Sequence, residues 1–599
     1  MAIKKFQNFT GWLNLNQPTD INDNELTIAK NVFYNNSKQV QTRRGYRKFG
    51  NQIGSDPITS YFFYQRDDNL ERIALCNSWN DMYEYDGTTW NSITSWSLIE
   101  FETIPWLNSK RIRVDYAVYR NVVYMADGVN PYAKYDWTTY SQIVGSNFVC
   151  TFDNSTDYVN HTAHWLSTND EIFFTTTWTL PAELTVREVY YVIEVDADNF
   201  QITNEPDGTA INFTDNGTPT TRYSIVTEPR VRYLEVVDDK MYGIGADLAP
   251  STLYNSDKWT ATANNISFDA TLIGPDEDGR ANGLSVYSTN VIIFKDNRIY
   301  WATIDWSSVT PIDAQWWGYA NRSIDNVGNS LVYFSDRGID SLKRRSWVDG
   351  VQAIEWEPLS ENVRALTELI AEKNYNDWTA LYVKEFNNYY FSFDVTGDDK
   401  PDTTLVYNST VWARTQYTLP NLYDYWQYIN DDKEVQYLFA SASGWQMYQF
   451  EYGFDDDGVD IESEIQTKQR DFDDPAQLKM FQRVDVSGYK QEWWTVEIKV
   501  LIEWVVWIEW VVTDDNVDFD TLRWTLWVDS NWVQSIGLVD TDGFDWIALY
   551  PFTVRLPVMK RGIDIAVNVS ASWTQRVVDK MRVGLEDEVV QIFGYNNIL

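Results

Sequence analysis

Residue types that support metal binding or nucleophilic catalysis are scarce in this chain. Its only two histidines, His161 and His164, are three positions apart. A zinc site needs three or four ligands, so this pair alone does not make one, and neither histidine has the context of a Ser-His-Asp triad. No glycine-rich phosphate loop of the Walker or Rossmann type occurs. We therefore interpret both histidines as loop residues, and we predict no catalytic, cofactor-binding or metal-binding residue.

Carboxylates are abundant, and their number weakens any argument from one pair. Two acids facing each other would serve glycoside hydrolysis, but 87 Asp and Glu residues produce such pairs by chance. The clustered aspartates of residues 394–402 offer oxygen ligands for calcium, yet they lack the EF-hand spacing and its bidentate Glu. We interpret this segment, and the Asp-Asp-Asp-Gly run at 455–458, as acidic hairpin tips.

Positive charge is concentrated in two short clusters, which stand out against a formal net charge of -39. Such clusters can pair with an acidic neighbouring subunit or contact DNA phosphates. Because the whole chain repels nucleic acid at long range, the sequence favours contact with a partner protein. The candidate contact residues are Arg43, Arg44, Arg47, Lys48, Lys343, Arg344 and Arg345.

Short alternating runs that end in turn residues predict β-strands as the elements that position these side chains. In residues 81–87, Tyr83 and Tyr85 alternate with Glu84 and Asp86, which places the two aromatic rings on one face of a strand. The Asp-Gly pair that follows suits a tight hairpin. The composition is 44% hydrophobic and 16% aromatic, which argues against disorder despite the charge. The predicted class is all-β.

The strand patterns recur every 30 to 45 residues. Residues 85–90 and 135–140 both read Tyr-Asp-x-Thr-Thr followed by an aromatic residue. The spacing matches the four-stranded blades of a β-propeller, and a set of β-sandwiches with similar hairpins is the alternative. The predicted units are residues 61–94, 114–144, 231–262, 284–316, 324–356, 378–417 and 425–454.

Two segments interrupt this series, so we predict a propeller with an inserted small β-domain and a C-terminal β-sandwich-like domain. A hairpin pattern joins 189–195 to 200–202 inside the insert. The clearest helix pattern covers residues 360–373. The predicted domains are an N-terminal arm with the first strands (1–50), propeller blades (51–145), the insert (146–227), further blades (228–460) and the C-terminal domain (461–599).

Cysteine and hydropathy patterns predict neither a disulfide framework nor a membrane span. Cys76 and Cys150 are the only cysteines, and an isolated pair is expected to be buried and unbridged. The opening residues contain no apolar stretch of the signal-peptide kind. The densest apolar run, residues 500–512, is interrupted by Glu503 and Glu509, and it is too short to span a bilayer.

Tryptophan is anomalous, since the chain has 29 Trp and only 28 Gly. Several tryptophans, such as Trp79 and Trp178, stand where turn chemistry favours glycine. One hypothesis is that a UGA codon translated here as Trp encodes Gly in the native host. The other is a Trp-rich aromatic core. The first hypothesis predicts several tryptophans exposed in loops.

The N-terminal stretch resembles the opening of many tailed-bacteriophage virion proteins. It begins Phe9-Thr10-Gly11-Trp12-Leu13-Asn14, continues through an acidic piece at 18–26 and an Asn31-Val32 strand, and closes with Arg43-Arg44-Gly45. Trp12 stands where that opening usually has a second Gly, and Arg44 stands where it often has Pro. The first departure fits the recoding hypothesis.

Two further stretches carry the resemblance. Residues 164–171, 180–182 and 189–193 are similar to a small β-module of phage structural proteins, in which Gly usually occupies the positions of Trp165 and Trp178. Residues 323–338 resemble a blade of the β-propeller tail-nozzle or packaged-DNA stabilisation proteins of short-tailed phages.

This resemblance implies a structural protein of the virion tail that is made in the host cytoplasm. It implies a ring, typically of six copies, bound to other tail and connector proteins, which retains packaged double-stranded DNA and passes it during ejection. No membrane partner and no cofactor are expected, and the chain is not expected to be an enzyme. The alternatives are a receptor-binding or glycan-binding tail adhesin and, third, a polysaccharide-degrading enzyme.

Overall fold

A computed structural model describes the strands, the turns and most short loops of the chain. The longer stretches outside the described residues are 7–12, 94–113, 257–267, 304–308, 313–320, 345–353, 368–377, 469–478, 513–548 and 574–583, beside shorter gaps in loops and at both ends. The chain forms two compact units. Unit 1 comprises Met1–Gln65, Leu70–Leu98 and Ile312–Leu599, and unit 2 comprises Arg66–Asn69 and Ile99–Pro311.

The N-terminal fifty residues supply five short strands to three different sheets of unit 1. Strands β1, β3 and β4 enter a seven-stranded sheet, β2 enters a nine-stranded sheet, and β5 enters a four-stranded sheet. These strands are β1 (Ala2–Phe6), β2 (Leu26–Lys30), β3 (Val32–Tyr34), β4 (Val40–Thr42) and β5 (Tyr46–Lys48).

The next two repeat units each form a four-stranded antiparallel sheet. The first sheet, in unit 1, contains β6 (Ile58–Gln65), β7 (Arg72–Ser78), β8 (Asp81–Tyr85) and β9 (Trp90–Ser92). The second sheet, in unit 2, contains β10 (Asp115–Tyr119), β11 (Val122–Ala126), β12 (Ala133–Tyr135) and β13 (Tyr140–Gln142).

A closed six-stranded barrel follows within unit 2. The predicted hairpin is confirmed, because β17 and β18 pair antiparallel around residues 196–199. Apolar side chains that alternate along the strands, such as Phe152, Val192 and Phe200, fill its interior. The strands are β14 (Asn147–Asp153), β15 (Tyr158–Asn160), β16 (Glu171–Thr175), β17 (Val189–Asp196), β18 (Asn199–Thr203) and β19 (Thr221–Ile225).

Three more four-stranded sheets come after the barrel, the first two in unit 2 and the third in unit 1. The first contains β20 (Tyr233–Val237), β21 (Lys240–Ile244), β22 (Thr252–Ser256) and β23 (Phe268–Leu272). The second contains β24 (Ala281–Tyr287), β25 (Asn290–Lys295), β26 (Ile299–Thr303) and β27 (Val309–Ile312). The third contains β28 (Asp325–Val327), β29 (Ser330–Ser335), β30 (Gly338–Arg344) and β31 (Ile354–Pro358).

The predicted helix begins with a 3-10 turn, Glu361–Val363, and continues as α1 (Arg364–Thr367). The rest of the helical pattern lies outside the described residues.

The last two repeat units follow the helix in the chain. They contain β32 (Thr379–Val383), β33 (Asn388–Phe393), β34 (Thr403–Asn408) and β35 (Ala413–Tyr417), and then β36 (Leu422–Ile429), β37 (Val435–Ser441) and β38 (Met447–Phe450).

The prediction of an all-β chain with β-propeller architecture is confirmed, and the described residues form six separate four-stranded sheets, three in each unit. The sixth predicted unit, 378–417, forms β32–β35, which continue through β2 into the nine-stranded sheet. In each unit the first strands of successive sheets pack against each other, as β10, β20 and β24 do in unit 2. The second strand β25 is buried along its whole length.

The N-terminal strand β5 completes the last propeller sheet. It pairs antiparallel with β38, so that Tyr46 lies opposite Phe450 and Lys48 opposite Tyr448. A propeller sheet whose outer strand comes from the far end of the sequence cannot separate without breaking this pairing. Tyr46 also packs edge-on against Phe439 and Tyr448, with ring centroids 5.4 and 5.2 Å away.

The C-terminal region contributes to the seven-stranded and nine-stranded sheets of unit 1. The nine-stranded sheet has the order β32-β33-β34-β35-β2-β39-β44-β41-β42, so β2 joins the propeller strands to the C-terminal strands. The strands are β39 (Ser463–Thr467), β40 (Lys479–Gln491), β41 (Trp494–Ile502), β42 (Val505–Val512), β43 (Leu549–Gly562), β44 (Ile565–Trp573), β45 (Gly584–Leu585) and β46 (Val590–Tyr595).

Candidate functional site

Arg43 lies at the centre of the contact between the N-terminal arm and the rest of unit 1. Its side chain is 1% exposed, although the sequence groups it with surface cations. The guanidinium donates from both Nη atoms to Asp456, with Nη1 2.8 Å from Oδ1 and Nη2 2.5 Å from Oδ2. Such a two-pronged contact is the strongest form of Arg–carboxylate pairing.

The remaining donors of Arg43 are used on backbone and amide oxygens. Its Nε lies 3.0 Å from Asn31 Oδ1, Nη1 lies 2.9 Å from the Arg44 carbonyl, and Nη2 lies 2.8 Å from the Thr418 carbonyl. Burial lowers the pKa of Arg43, but Asp456 more than offsets this, so the guanidinium stays charged. The prediction that Arg43 contacts an external partner is wrong, because a buried side chain with these partners has no surface to present.

Asn31 and Gly45 complete this cluster, which we call the clasp (Asn31, Arg43, Gly45, Thr418 and Asp456). The Asn31 amide donates to Thr418 Oγ1 at 2.5 Å and to the Glu462 carbonyl at 2.7 Å. Asn31 has a φ of 52°, a conformation that Asn tolerates better than most residues. A Cβ on Gly45 would collide with the Asp455 backbone, so only glycine fits there.

The other predicted contact residues divide between two sheets. Arg44 is half-buried and lies over the Phe386 ring at 5.2 Å. Arg47 and Lys48 are exposed on the outer strand β5, where Arg47 stacks on Tyr452 and Lys48 lies 3.2 Å from Asp457. We call these three residues the basic edge. Strand β5 is the outer strand of its sheet.

The second cluster belongs to the sheet β28–β31. Lys343 forms an ion pair with Glu357 of the neighbouring strand β31. The backbone of Arg344 pairs with Ile354, while Arg345 lies outside the described residues. The structure therefore brings together Arg44, Arg47 and Lys48, and it places Lys343 on a different sheet.

The histidines and cysteines occupy interior or partly buried positions. His161 Nδ1 lies 2.6 Å from the Tyr223 hydroxyl, and His164 is buried against the Phe200 ring. Cys76 and Cys150 are buried and free, as the sequence predicts, and burial raises the pKa of both thiols. The described residues contain no group of three or more side chains arranged to hold a metal ion.

The predicted acidic tips use their carboxylates on their own turns. Asp402 accepts hydrogen bonds from the backbone N–H groups of Val395 and Thr396, both at 3.1 Å. Asp455 accepts one from the Gly458 N–H at 2.9 Å. Asp456 is the exception, because its carboxylate is the partner of Arg43.

Carboxylates also connect adjacent propeller sheets, a role that the sequence did not reveal. In unit 2, Asp115 at the start of β10 accepts a hydrogen bond of 2.7 Å from the Leu234 N–H of β20. In unit 1, Asp325 at the start of β28 accepts one of 2.7 Å from the Tyr382 N–H of β32. Each aspartate thus ties the first strand of one sheet to the first strand of the next.

Burial raises the pKa of two carboxyls near these contacts, Glu235 and Asp325. Burial, reinforced by the charge of Asp115, raises the pKa of Glu235 to about 7. Burial likewise raises the pKa of Asp325 to about 6, opposed by the N–H groups of Tyr382 and Asn326. A third carboxyl in this setting, Asp424 on β36, is compensated by an ion pair with Arg322 and a hydrogen bond of 2.6 Å from Thr379 Oγ1.

A groove of about 550 Å³ crosses one face of the nine-stranded sheet. Lys499 lies between two carboxylates there, 2.7 Å from Glu497 Oε2 and 3.8 Å from Glu509 Oε1. Ser570 Oγ donates to Glu497 Oε2 at 3.1 Å. Hydrogen bonding between the two carboxyls lowers the pKa of Glu497 and raises that of Glu509.

Comparisons with known proteins found only solved structures of low similarity. No protein-family model matches the chain, and no curated protein matches it. Similar solved structures include the computationally designed Ika8 protein (11% identity, 68% of this chain, 99% of that chain, TM-score 0.30) and the Pan2 WD40 domain of Neurospora crassa (8%, 69%, 96%, 0.26). Another is BamB from Moraxella catarrhalis (9%, 67%, 99%, 0.31). Among the described residues, no helix is long and apolar enough to cross a bilayer.

Replacing Arg43 should be strongly destabilising. The substitution Arg43→Met leaves the Asp456 carboxylate buried without its partner, so we expect a loss of about 3–5 kcal/mol in the free energy of unfolding. Adding Asp456→Leu should recover part of that loss. Arg47→Met, on the exposed side of β5, is the control and should change it by about 0.5 kcal/mol or less. Equal effects of Arg43→Met and Arg47→Met in denaturant unfolding would refute the structural role of the clasp.

The raised pKa of Glu235 predicts a pH-dependent stability. A carboxyl that binds its proton more tightly in the folded chain stabilises fully below its ordinary pKa, and that contribution is lost as the pH rises through about 7. Glu235→Gln should therefore flatten the fall in unfolding free energy between about pH 5 and pH 8. Glu205→Gln, which removes an exposed carboxyl of the same unit, is the matched control. If the unfolding free energy of Glu235→Gln falls with pH as steeply as that of the parent chain, the prediction is wrong.

Proposed function

We propose that this chain is a structural protein of a tailed-bacteriophage virion, part of the tail where packaged DNA leaves the head. The proposal rests on one observation: residues of the phage-like N-terminal motif are also the residues that form the clasp. The residues of the N-terminal stretch that resemble phage virion proteins include Asn31, Arg43 and Gly45, and these same residues form the clasp. The resemblance therefore rests on residues with a defined physical role.

A mechanical function suits the way in which the clasp is built. Pulling on the N-terminal arm would load β2, β4 and β5 together, because each lies in a different sheet. Strands loaded across several hydrogen-bonded ladders separate less readily than a terminal strand at one sheet edge. Such an arrangement suits a protein that must hold its shape against the pressure of packaged DNA.

Charge gives the proposed passage of DNA a physical basis. With a formal net charge of -39, the chain repels phosphate at long range, so DNA can pass along its surface without adhering. No catalytic residue is required in this mechanism. The ring of about six copies that the resemblance implies would form a wall around the DNA path.

The basic edge is the proposed contact with a neighbouring acidic subunit. Arg47 and Lys48 lie side by side on an outer strand with exposed side chains, in a chain where acids outnumber basic residues. Opposite charges at a subunit contact guide assembly and register more than they add affinity.

Charge reversal at the basic edge tests this contact. The double variant Arg47→Glu/Lys48→Glu loses the contacts with Tyr452 and Asp457, so its Tm should fall by a few degrees at most, as for exposed pairs. It should nevertheless lose the ring in native mass spectrometry. Lys433→Glu, an exposed reversal elsewhere in unit 1, is the matched control and should keep it. Rings formed equally well by both variants would exclude the basic edge as the contact.

Cryo-electron microscopy of the phage particle tests the location directly. We expect density for this fold on the tail axis, next to the portal, with an acidic surface towards the DNA. Finding the chain at the tip of a tail fibre, or with a basic surface lining the DNA path, would refute the proposal.

A glycan-binding tail adhesin is the second candidate, and the groove on the nine-stranded sheet is the observation that favours it. Polar side chains such as Glu464, Asn568 and Ser570 line the groove and could bond sugar hydroxyls. If this candidate is right, the purified chain binds bacterial surface glycans on an array, and Asn568→Leu abolishes that binding. The tail-axis protein should show no such binding.

A further inference from the structure

Trp445 has a backbone conformation that is unfavourable for a residue with a bulky side chain. It lies in the hairpin between β37 and β38, with a φ of 51° and an indole that is 36% exposed. In the described chain, nine of the fourteen non-glycine residues with positive φ are Asn or Asp, which tolerate that region best. Trp445 is the only aromatic residue among the fourteen.

The backbone at this turn is fixed by its surroundings. The Trp445 carbonyl accepts a hydrogen bond of 3.0 Å from the Ile53 N–H, and the Ser441 N–H donates to the Gln446 carbonyl at 3.1 Å. The Gln446 amide in turn donates to the carbonyls of Phe49 and Gly50. The turn therefore keeps its positive φ for reasons unrelated to the indole.

Glycine with positive φ also occurs at or next to the connection between the second and third strands of three other propeller sheets. Gly128 and Gly245 lie in this connection in β10–β13 and β20–β23, and Gly338 is the first residue of the third strand in β28–β31. These glycines have φ values of 84°, 81° and 136°. Trp445 lies in the connection between the second and third strands of the sheet that β5 completes.

An internal sequence repeat shows Trp in place of Gly a second time, independently of Trp445. In the shared Tyr-Asp-x-Thr-Thr stretch, the variable position is Gly87 in one copy and Trp137 in the other. Gly87 has a φ of 97°, and the Asp86 carboxylate accepts hydrogen bonds from the N–H groups of Thr88 and Thr89 in the same turn. Trp137 lies outside the described residues, but its copy of the sequence stretch retains the Asp and both threonines.

Trp165 adds a third position with no packing reason for an indole. Its side chain is 70% exposed in the loop before β16, touching only the edge of the Phe148 ring at a centroid distance of 5.9 Å. Trp90 and Trp378 differ, with exposures of 4% and 1%. Trp378 packs edge-on against Phe334 at 4.4 Å, as a core tryptophan should.

We infer that the native protein carries glycine at positions 137, 165 and 445, encoded by UGA in a host that reads this codon as Gly, while Trp90 and Trp378 are true tryptophans. The inference does not depend on the proposed function. Its consequence is local, because glycine lets the turn at 445 adopt positive φ without strain and removes an exposed indole at 165.

The first test reads the residues from material made in the native host. Tandem mass spectrometry of peptides that cover these positions should show Gly at 137, 165 and 445 and Trp at 90 and 378. The gene should correspondingly carry UGA at the first three codons and UGG at the other two. A native peptide with Trp at 445 would overturn the inference.

The second test needs only the chain as written. Trp445→Gly should raise the Tm, by about 2 °C, because it relieves strain in a turn whose backbone stays in place. Trp378→Gly is the matched control and should lower the Tm, since it leaves a cavity in the core. A fall in Tm for Trp445→Gly would show that the indole stabilises the turn, and it would count against glycine as the native residue there.

Discussion

The buried ion pair between Arg43 and Asp456 is the interaction on which the architecture of unit 1 depends. It joins residues 413 positions apart and lies where the N-terminal arm meets the last propeller sheet and the C-terminal strands. A buried charge is tolerated only when its partners satisfy it, and Arg43 has a carboxylate, an amide oxygen and two carbonyls. These requirements can all be met in only one register of the arm, so the pair selects the arrangement of β2, β4 and β5.

Two aspartates join neighbouring propeller sheets, as Arg43 and Asp456 join the N-terminal arm to the rest of unit 1. Asp115 and Asp325 each bond a backbone N–H on the next sheet, which would otherwise be buried without a partner. Burial raises the pKa of Asp325, so its bond to Tyr382 is made at an electrostatic cost. Some of the chain's many carboxyls are therefore buried and hold neighbouring strands together.

The strand repeats could be predicted because alternation and turn residues are local signals. The predicted units at 61–94 and 324–356 correspond to the sheets at Ile58–Ser92 and Asp325–Pro358. The role of Arg43 could not be predicted, since four neighbouring cations have the pattern of a surface cluster. Asp456 has the pattern of a hairpin tip for the same reason. Only the fold brings these two residues together, and no local spacing encodes that contact.

The position of β5 has a consequence for the order in which the protein can be made. Its partner strand β38 lies about four hundred residues later, so the last propeller sheet is incomplete until most of the chain has left the ribosome. Contacts over such separations are slow to form, because the intervening chain must first become ordered. The basic edge lies on this same strand, and it therefore acquires its fixed shape only at the end of folding. A chain truncated before β38 would lack that edge in its finished form, and the proposed assembly through it would be restricted to molecules that contain β38.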